Sequence, residues 1–533
     1  MTWPRMLMRM LMTAALALPL LQAAASGAAA QELRIAMKGG VDNPDPHQSY
    51  TPNRNVQLHV YEPLVFQDEV LNPIPGLAES WRTIDPLTWE FTLRAAALFH
   101  DGSPVTPADI AFSIRRAANI VGARTYAASV RGITAVEAKD ARTVVIRTAT
   151  PMPTLPGKLT TIAIVSARAA ADATEADFNG GRAAIGTGPY RWIRWTPGAD
   201  VVLERAPRHW REVEPWQRVI FRAVSNDSAR VAALLAGDVD VIDTVPPGLY
   251  ARINENARTR LVSTTGLFVL YMYFDTYRDK VLFVTGLDGQ PLDRNPLQDA
   301  RVRRAMSHAI NRQAIAARVQ EGGATPAGQI APPGFFGYSD ALQPAKFDLA
   351  LSRRLLAEAG YPQGFGLTLH CTSDRFAGDA RVCQTVGQML TAIGIKVTVD
   401  AMPASVFFRR AGAGANGEPE FSAFMSMFGA SSGMAAEGMT TLLRTTDKVL
   451  GYGSSNRGRY SNPQLDRLLD EVDSTFDDEA RRRATVAAQT LIAEEAPLLP
   501  IFYVNSTWAL RRDLTMRPSA DQYTYATGIR AAP

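Results

Sequence analysis

Two kinds of hydrophobic rhythm alternate along this chain. Period-two stretches predict strands: residues 31–37 (QELRIAM) run into the break at Gly39-Gly40, residues 89–93 (WEFTL) alternate like a half-buried strand, and residues 238–242 (DVDVI) do the same. Stretches repeating every three or four residues predict helices. One begins with Thr106 as N-cap and Pro107 in the first helical position, and another spans 226–236, capped by Asn226 or Asp227 and stopped by Gly237. In residues 295–312, Val302, Met306, Ala309 and Ile310 share one apolar face, and the arginines between them read as a solvated or interdomain face. Asp348 caps a further helix with Leu355, Leu356 and Ala359 inward, ended by Gly360 and Pro362. Residues 367–370, 382–393 and 394–400 then read strand, helix, strand, the signature of a parallel α/β core.

The stretch FSAFMSMFGASSG, residues 421–433, supports two readings. Its end matches the G-x-S-x-G nucleophile elbow, with Ser431 as nucleophile. The same layout describes a buried strand opening into a ligand cleft. All six histidines, His47, His59, His100, His209, His308 and His370, precede Ser431, whereas an α/β-hydrolase places its histidine after the serine. An exported serine hydrolase using Ser431 is therefore the weaker reading.

Composition narrows the class. Arg5 and Arg9, the apolar run Leu11 to Leu21 and Ala28-Ala29-Ala30 before Gln31 make residues 1–30 a secretory signal. No other stretch has the roughly 18 apolar residues of a membrane span, so the mature chain is expected to be exported without membrane insertion. No cysteine near the cleavage site offers a lipid anchor. The remaining chain, about 503 residues, exceeds one core and implies two or three domains. The formal charge of +4 is small for this size, and no basic block with interleaved aromatics points to nucleic acid. Cys371 and Cys383 are the two cysteines, placed to form one short-loop disulfide in an oxidising compartment or to stay as buried thiols. No H-E-x-x-H, C-x-x-C or phosphate-binding loop is present. Asp42, Asp45 and His47 are near one another in a Pro-broken loop; no metal or cofactor is expected.

Several segments in order resemble one family. YEPL (61–64), LAESW (77–81), the FHDG-x-P-x-T run (99–113), GTGPY (186–190), the 295–312 helix, LL-x-EAGYP-x-GF (355–365) and NRGRYSNPQLD (456–466) together are similar to the extracytoplasmic solute-binding proteins of ABC importers, in the dipeptide, oligopeptide and nickel class. The resemblance implies an α/β, bilobal periplasmic-binding-protein fold, type II-like, with an extra subdomain in the first lobe. Lobe I would comprise 31–60, 183–275 and 506–533, the extra subdomain 61–182, and lobe II 276–505. It also implies a periplasmic, monomeric protein that catalyses no reaction, captures a small solute and hands it to a permease with its ATPase subunits. Arg375 matches a position where peptide-binding members hold the ligand carboxylate, and the expected ligand wall is Arg375, Phe428, Gly429, Ala430 and Ser431, joined by His47. Peptide-binding relatives carry an aspartate for the ligand ammonium where this chain has Ser431, and Phe428 stands where a tryptophan is common. Glu437, the nearest downstream acid, reads as a surface residue of a helix. The ligand is thus expected to be peptide-like or another carboxylate-bearing solute, with a metal chelate or a sugar as alternatives.

Overall fold

Two long antiparallel strands, Thr259–Phe274 and Leu498–Arg511, form the spine of the protein. A computed structural model describes residues 32–48, 50–121, 125–212, 216–376, 378–414 and 416–533; the expected secretory signal lies outside the described residues. The strands pair from Thr259 against Arg511 to Tyr273 against Leu498, and their register shifts between Thr265 and Val269. The shift has a steric origin at Gly266, where a Cβ would lie 2.4 Å from the Val504 carbonyl oxygen. Only a residue without a side chain allows the backbones so close.

On one side of this crossover, Val241–Asp243 pairs with the end of the Leu498–Arg511 strand, and Glu32–Met37 runs parallel to both Val241–Asp243 and Arg218–Ala223. On the other, Ala423–Gly429 pairs antiparallel with Thr259–Phe274, and Gly366–Thr372 runs parallel to both Ala423–Gly429 and Lys396–Met402. Each half buries its own core. Leu33, Ile35, Val219, Phe221 and Trp508 pack in the first, and Met272, Val302, Met306, Leu369 and Val386 in the second. The α/β bilobal class expected from the sequence is thereby observed. Leu267 to Phe274 pack with the cores of the second half, past the register shift.

A four-stranded antiparallel sheet, in the order Ala78–Asp85, Thr88–Leu93, Thr143–Thr148, Ile133–Ala138, carries a separate core with Phe91, Ile110, Ile114, Val144 and Ile146. Its helix Pro107–Asn119 starts as the sequence predicts: the Asp109 carboxylate accepts from the Thr106 backbone N–H at 2.9 Å and from its hydroxyl at 2.6 Å. One expectation fails in the 295–312 segment. Arg303 and Arg312 are buried rather than solvated, because Arg303 donates to the Leu297, Glu495 and Ala496 carbonyls and Arg312 to those of Pro500 and Ser307. Burial lowers the Arg312 guanidinium to about 10. Each guanidinium is satisfied by several backbone carbonyls.

Candidate functional site

The chain returns to the crossover from both halves, and the ends of the parallel strands enclose a cavity of about 380 Å³ there. Lys38 follows the strand Glu32–Met37, Thr244 follows Val241–Asp243, and Arg375 follows Gly366–Thr372; all three line the cavity, together with Met427 of Ala423–Gly429. Carboxyl ends of parallel strands are where open α/β sheets hold ligands, since side chains there converge from separate loops.

The first half supplies a fixed ionic wall. Asn226 caps the helix Asp227–Ala236, and Gly237 closes it at φ 86°. Asp227 in the first turn is 3.4 Å from the Lys38 ammonium and accepts from the Arg230 guanidinium at 2.8 Å. Arg230 is fully buried and also donates to the carbonyls of Val224, Asp243 and Thr244, which ties down the loop at Thr244 with its φ of 48°. Burial pushes the Asp243 carboxyl up to about 6, against the pull of the Lys38 backbone N–H and Arg230.

The second half supplies an exposed arginine. The Arg375 backbone N–H donates to Asp379 at 2.9 Å, and its guanidinium carbon lies 4.7 Å from the centre of the Phe408 ring. Desolvation holds this guanidinium below the usual arginine value. Among the described residues, no carboxylate is within ion-pair distance of it. Cys371 at the strand end and Cys383 in the helix Asp379–Thr391 are joined in a disulfide with Cα atoms 6.6 Å apart, closing a covalent loop around Arg375.

The other predicted wall residues lie elsewhere. His47 is buried, with Nε2 2.9 Å from the Ala163 carbonyl and Nδ1 2.9 Å from Arg116, which in turn pairs with Asp45. Burial and the Arg116 charge lower it to about 4, so it is a neutral structural histidine away from the cavity. Strand alternation turns Phe428 to the face opposite Met427 and packs it in the core of Phe407 and Phe424. Gly429 is pressed against Leu267, whose Cδ1 would be 2.0 Å from an added Cβ, and Ala430 is buried.

Ser431 and Gly433 dock onto the hairpin Val65–Gln67 and Pro73–Pro75 instead of facing the cavity. The Ser431 carbonyl accepts from Gln67 at 2.8 Å, and Gly433, at φ 73°, abuts Leu71, where a Cβ would be 2.3 Å from the carbonyl oxygen. Glu437 is not a surface residue either. It is half-buried near the start of the helix Ala435–Leu442, where it accepts from the Ser432 N–H at 2.8 Å and lies 3.4 Å from the Ser431 hydroxyl; burial raises its carboxyl. Among the described residues, no histidine hydrogen-bonds Ser431, and each ring is engaged at another place. The elbow motif is thus a tight turn at a joint between two parts of the protein. Lys38, Arg230 and Thr244 were not singled out from the sequence, although the Asn226-Asp227 cap was the local signal for this wall.

A cavity enclosed between two α/β halves joined by crossing strands defines a bilobal solute-binding protein. The profile described as bacterial extracellular solute-binding proteins, family 5 Middle, matches residues 72–449, and the chain belongs to this family. The chain is 28% identical over 510 residues to the glutathione-binding protein GsiB of Salmonella choleraesuis (strain SC-B67), covering 94% of each. In fold it is similar to HbpA2 from Haemophilus parasuis, with TM-score 0.80, 22% identity and coverage of 94% and 100%. The peptide-bound DppA from Helicobacter pylori gives TM-score 0.72, 21% identity and coverage of 94% and 98%. Proteins of this family bind small solutes for ABC importers. Among the described residues, no helix is long and apolar enough to cross a membrane.

Proposed function

We propose that this chain is the periplasmic binding component of an ABC importer that captures a carboxylate-bearing solute in the cavity at the crossover, with Arg375 holding the carboxylate. The observation that carries this reading is a guanidinium at a strand end in the cavity wall with no carboxylate among the described residues to neutralise it. A planar guanidinium offers two parallel donors to a carboxylate, and the low effective dielectric of a closed cleft strengthens them. Among the described residues, Asp227 is the one acid lining the cavity, and it is engaged by Lys38 and Arg230. A ligand ammonium finds no free anion there, which favours an acidic solute over an ordinary dipeptide. The relative named for glutathione fits this direction, because glutathione carries two carboxylates against one ammonium.

In this reading the first lobe comprises 31–60, 183 to about 266, and 506–533, residues 61–182 form its extra subdomain, and the rest up to 505 forms the second lobe. The monomer closes over its solute and delivers it to a permease and ATPase subunits, with no reaction catalysed. Calorimetry with glutathione and a panel of small mono- and dicarboxylates tests it. Arg375→Ala is expected to weaken binding by about 1.5 to 3 kcal/mol, the range for charged hydrogen bonds. Unchanged affinity removes Arg375 from the site and overturns the reading.

A further inference from the structure

Arg375 is one of two arginines against the same ring. The guanidinium carbon of Arg457 lies 5.2 Å from the centre of the Phe408 ring, beside the 4.7 Å of Arg375. Phe408 belongs to the helix Ala404–Gly412, whose first backbone N–H is capped by Asp374 at 2.7 Å. Asp379, the other acid adjoining the Arg375 loop, accepts from the backbone N–H groups of Arg375 and Ala380. The nearby carboxylates thus serve backbone donors, and among the described residues neither arginine forms an ion pair. Two like charges gathered without an anion are unfavourable unless something else supplies it.

The position of Arg457 is fixed from both sides. Asn456 is buried, donates to the Arg444 and Tyr460 carbonyls, and accepts from the Tyr273 hydroxyl at 2.7 Å. Gly458 passes so close to the strand that a Cβ would be 1.9 Å from the Phe274 carbonyl oxygen. A long cationic side chain between two such anchors starts from a backbone that is already ordered, the condition for a preorganised binding group. Tyr271 lies in the field of both guanidiniums: burial raises its phenol, and Arg457 and Arg375 oppose that rise. Opposite Tyr271 across the strands, Ser426 is buried, and its hydroxyl also opposes the rise of the Tyr271 phenol.

We propose that Arg457 and Arg375, gathered on Phe408 beside Tyr271, form a two-arginine receptor at the second-lobe wall that selects solutes with two spaced carboxylates. The inference deepens the proposed function and depends on its Arg375 assignment. One carboxylate engages Arg375 where it lines the cavity, and the second extends along the ring to Arg457. A single-acid solute leaves Arg457 unpaired and binds more weakly.

The test pairs each diacid with a version lacking one charge: glutathione with its glycyl monoethyl ester, and N-acetylglutamate with N-acetylglutamine, with inorganic phosphate as a compact dianion. Isothermal calorimetry is run on the wild-type protein and on Arg375→Gln, Arg457→Gln and Arg457→Lys. Expected is diacid binding at least about tenfold tighter than that of the single-charge partner, the lower end for a charged hydrogen bond. Arg457→Gln should erase that ratio, and Arg457→Lys should restore part of it. Equal affinities within each wild-type pair overturn the inference without any variant, so a folding failure of Arg457→Gln cannot hide it. Loss on Arg375→Gln with no effect of Arg457→Gln overturns the two-arginine receptor and leaves the carboxylate reading standing. Tighter binding of phosphate than of every diacid refutes the spaced-carboxylate specificity. No binding of any acid to wild type removes both readings.

Discussion

Removing the Cys371–Cys383 bond tests how the loop bearing Arg375 is held. The bond spans 12 positions and joins two buried residues, so the double variant Cys371→Ala/Cys383→Ala exposes no thiol and adds no polar group to the core. Restricting the unfolded ensemble by a loop of this length is worth about 3 kcal/mol in the chain-entropy account. The cysteines pack in the core of the second half with Leu369, Val382 and Val386. For a cooperative unit of 150–250 residues, 1 kcal/mol shifts the melting midpoint by about 2 to 4 °C, so the variant should melt roughly 6 to 12 °C lower. Differential scanning calorimetry reads this, and the transition of the second half should move more than that of the first. If the bond acts through the unfolded ensemble, refolding should slow more than unfolding accelerates. Affinity should fall by less than for Arg375→Ala, because the Asp379 contact to the Arg375 backbone survives. A midpoint within about 2 °C of wild type would refute the loop-entropy argument at this site.

Two further outcomes follow from the packing. Gly266→Ala drives a Cβ to 2.4 Å from the Val504 oxygen and 2.7 Å from the Ser506 hydroxyl at the crossover, so it should cost about 1 to 3 kcal/mol in urea unfolding; an unchanged midpoint together with unchanged small-angle scattering would contradict the close approach. His59 is buried, takes part in hydrogen bonds with the Asn55 carbonyl and the Ala526 N–H, and burial lowers it from an ordinary value near 6.5 to about 4. Because the folded value is depressed, the unfolded chain binds the extra proton first, and stability is lost as pH falls from about 6.5 towards 4. This residue alone should remove about 2 kcal/mol between pH 7 and pH 5, and His47 acts in the same direction. Stability measured by urea that stays flat or rises over that interval would show that these rings are charged in the fold.

Local patterning was most legible where one segment supplies all the information. The caps at Thr106, Asn226 and Asp348 and the apolar face of Val302, Met306, Ala309 and Ile310 depend on residues within a few positions of one another, and all are found as read. Motif order also sufficed to place the chain in its family. What the sequence concealed depends on contacts between distant segments. Arg303 and Arg312 look like surface charges until the carbonyls of residues 495, 496 and 500 arrive to be satisfied.

The same holds for the candidate site. Arg375 lines the cavity because its strand ends there, a property of one strand and its loop. Phe428 to Ser431 are expected at the wall from the family resemblance and from the rule that ligands sit beyond strand ends. The two-residue alternation sends Met427 to the cavity and Phe428 to the opposite core, and Gly433 closes against Leu71 from a hairpin more than 350 residues earlier in the chain. Nothing near residue 431 announces that hairpin. The arginine at 457 is equally silent, since its meaning comes from Phe408 on another element and from the absence, among the described residues, of a carboxylate paired with it. A solute-binding site assembled from the ends of several strands is therefore legible one strand at a time, whereas its specificity lies in how those ends meet.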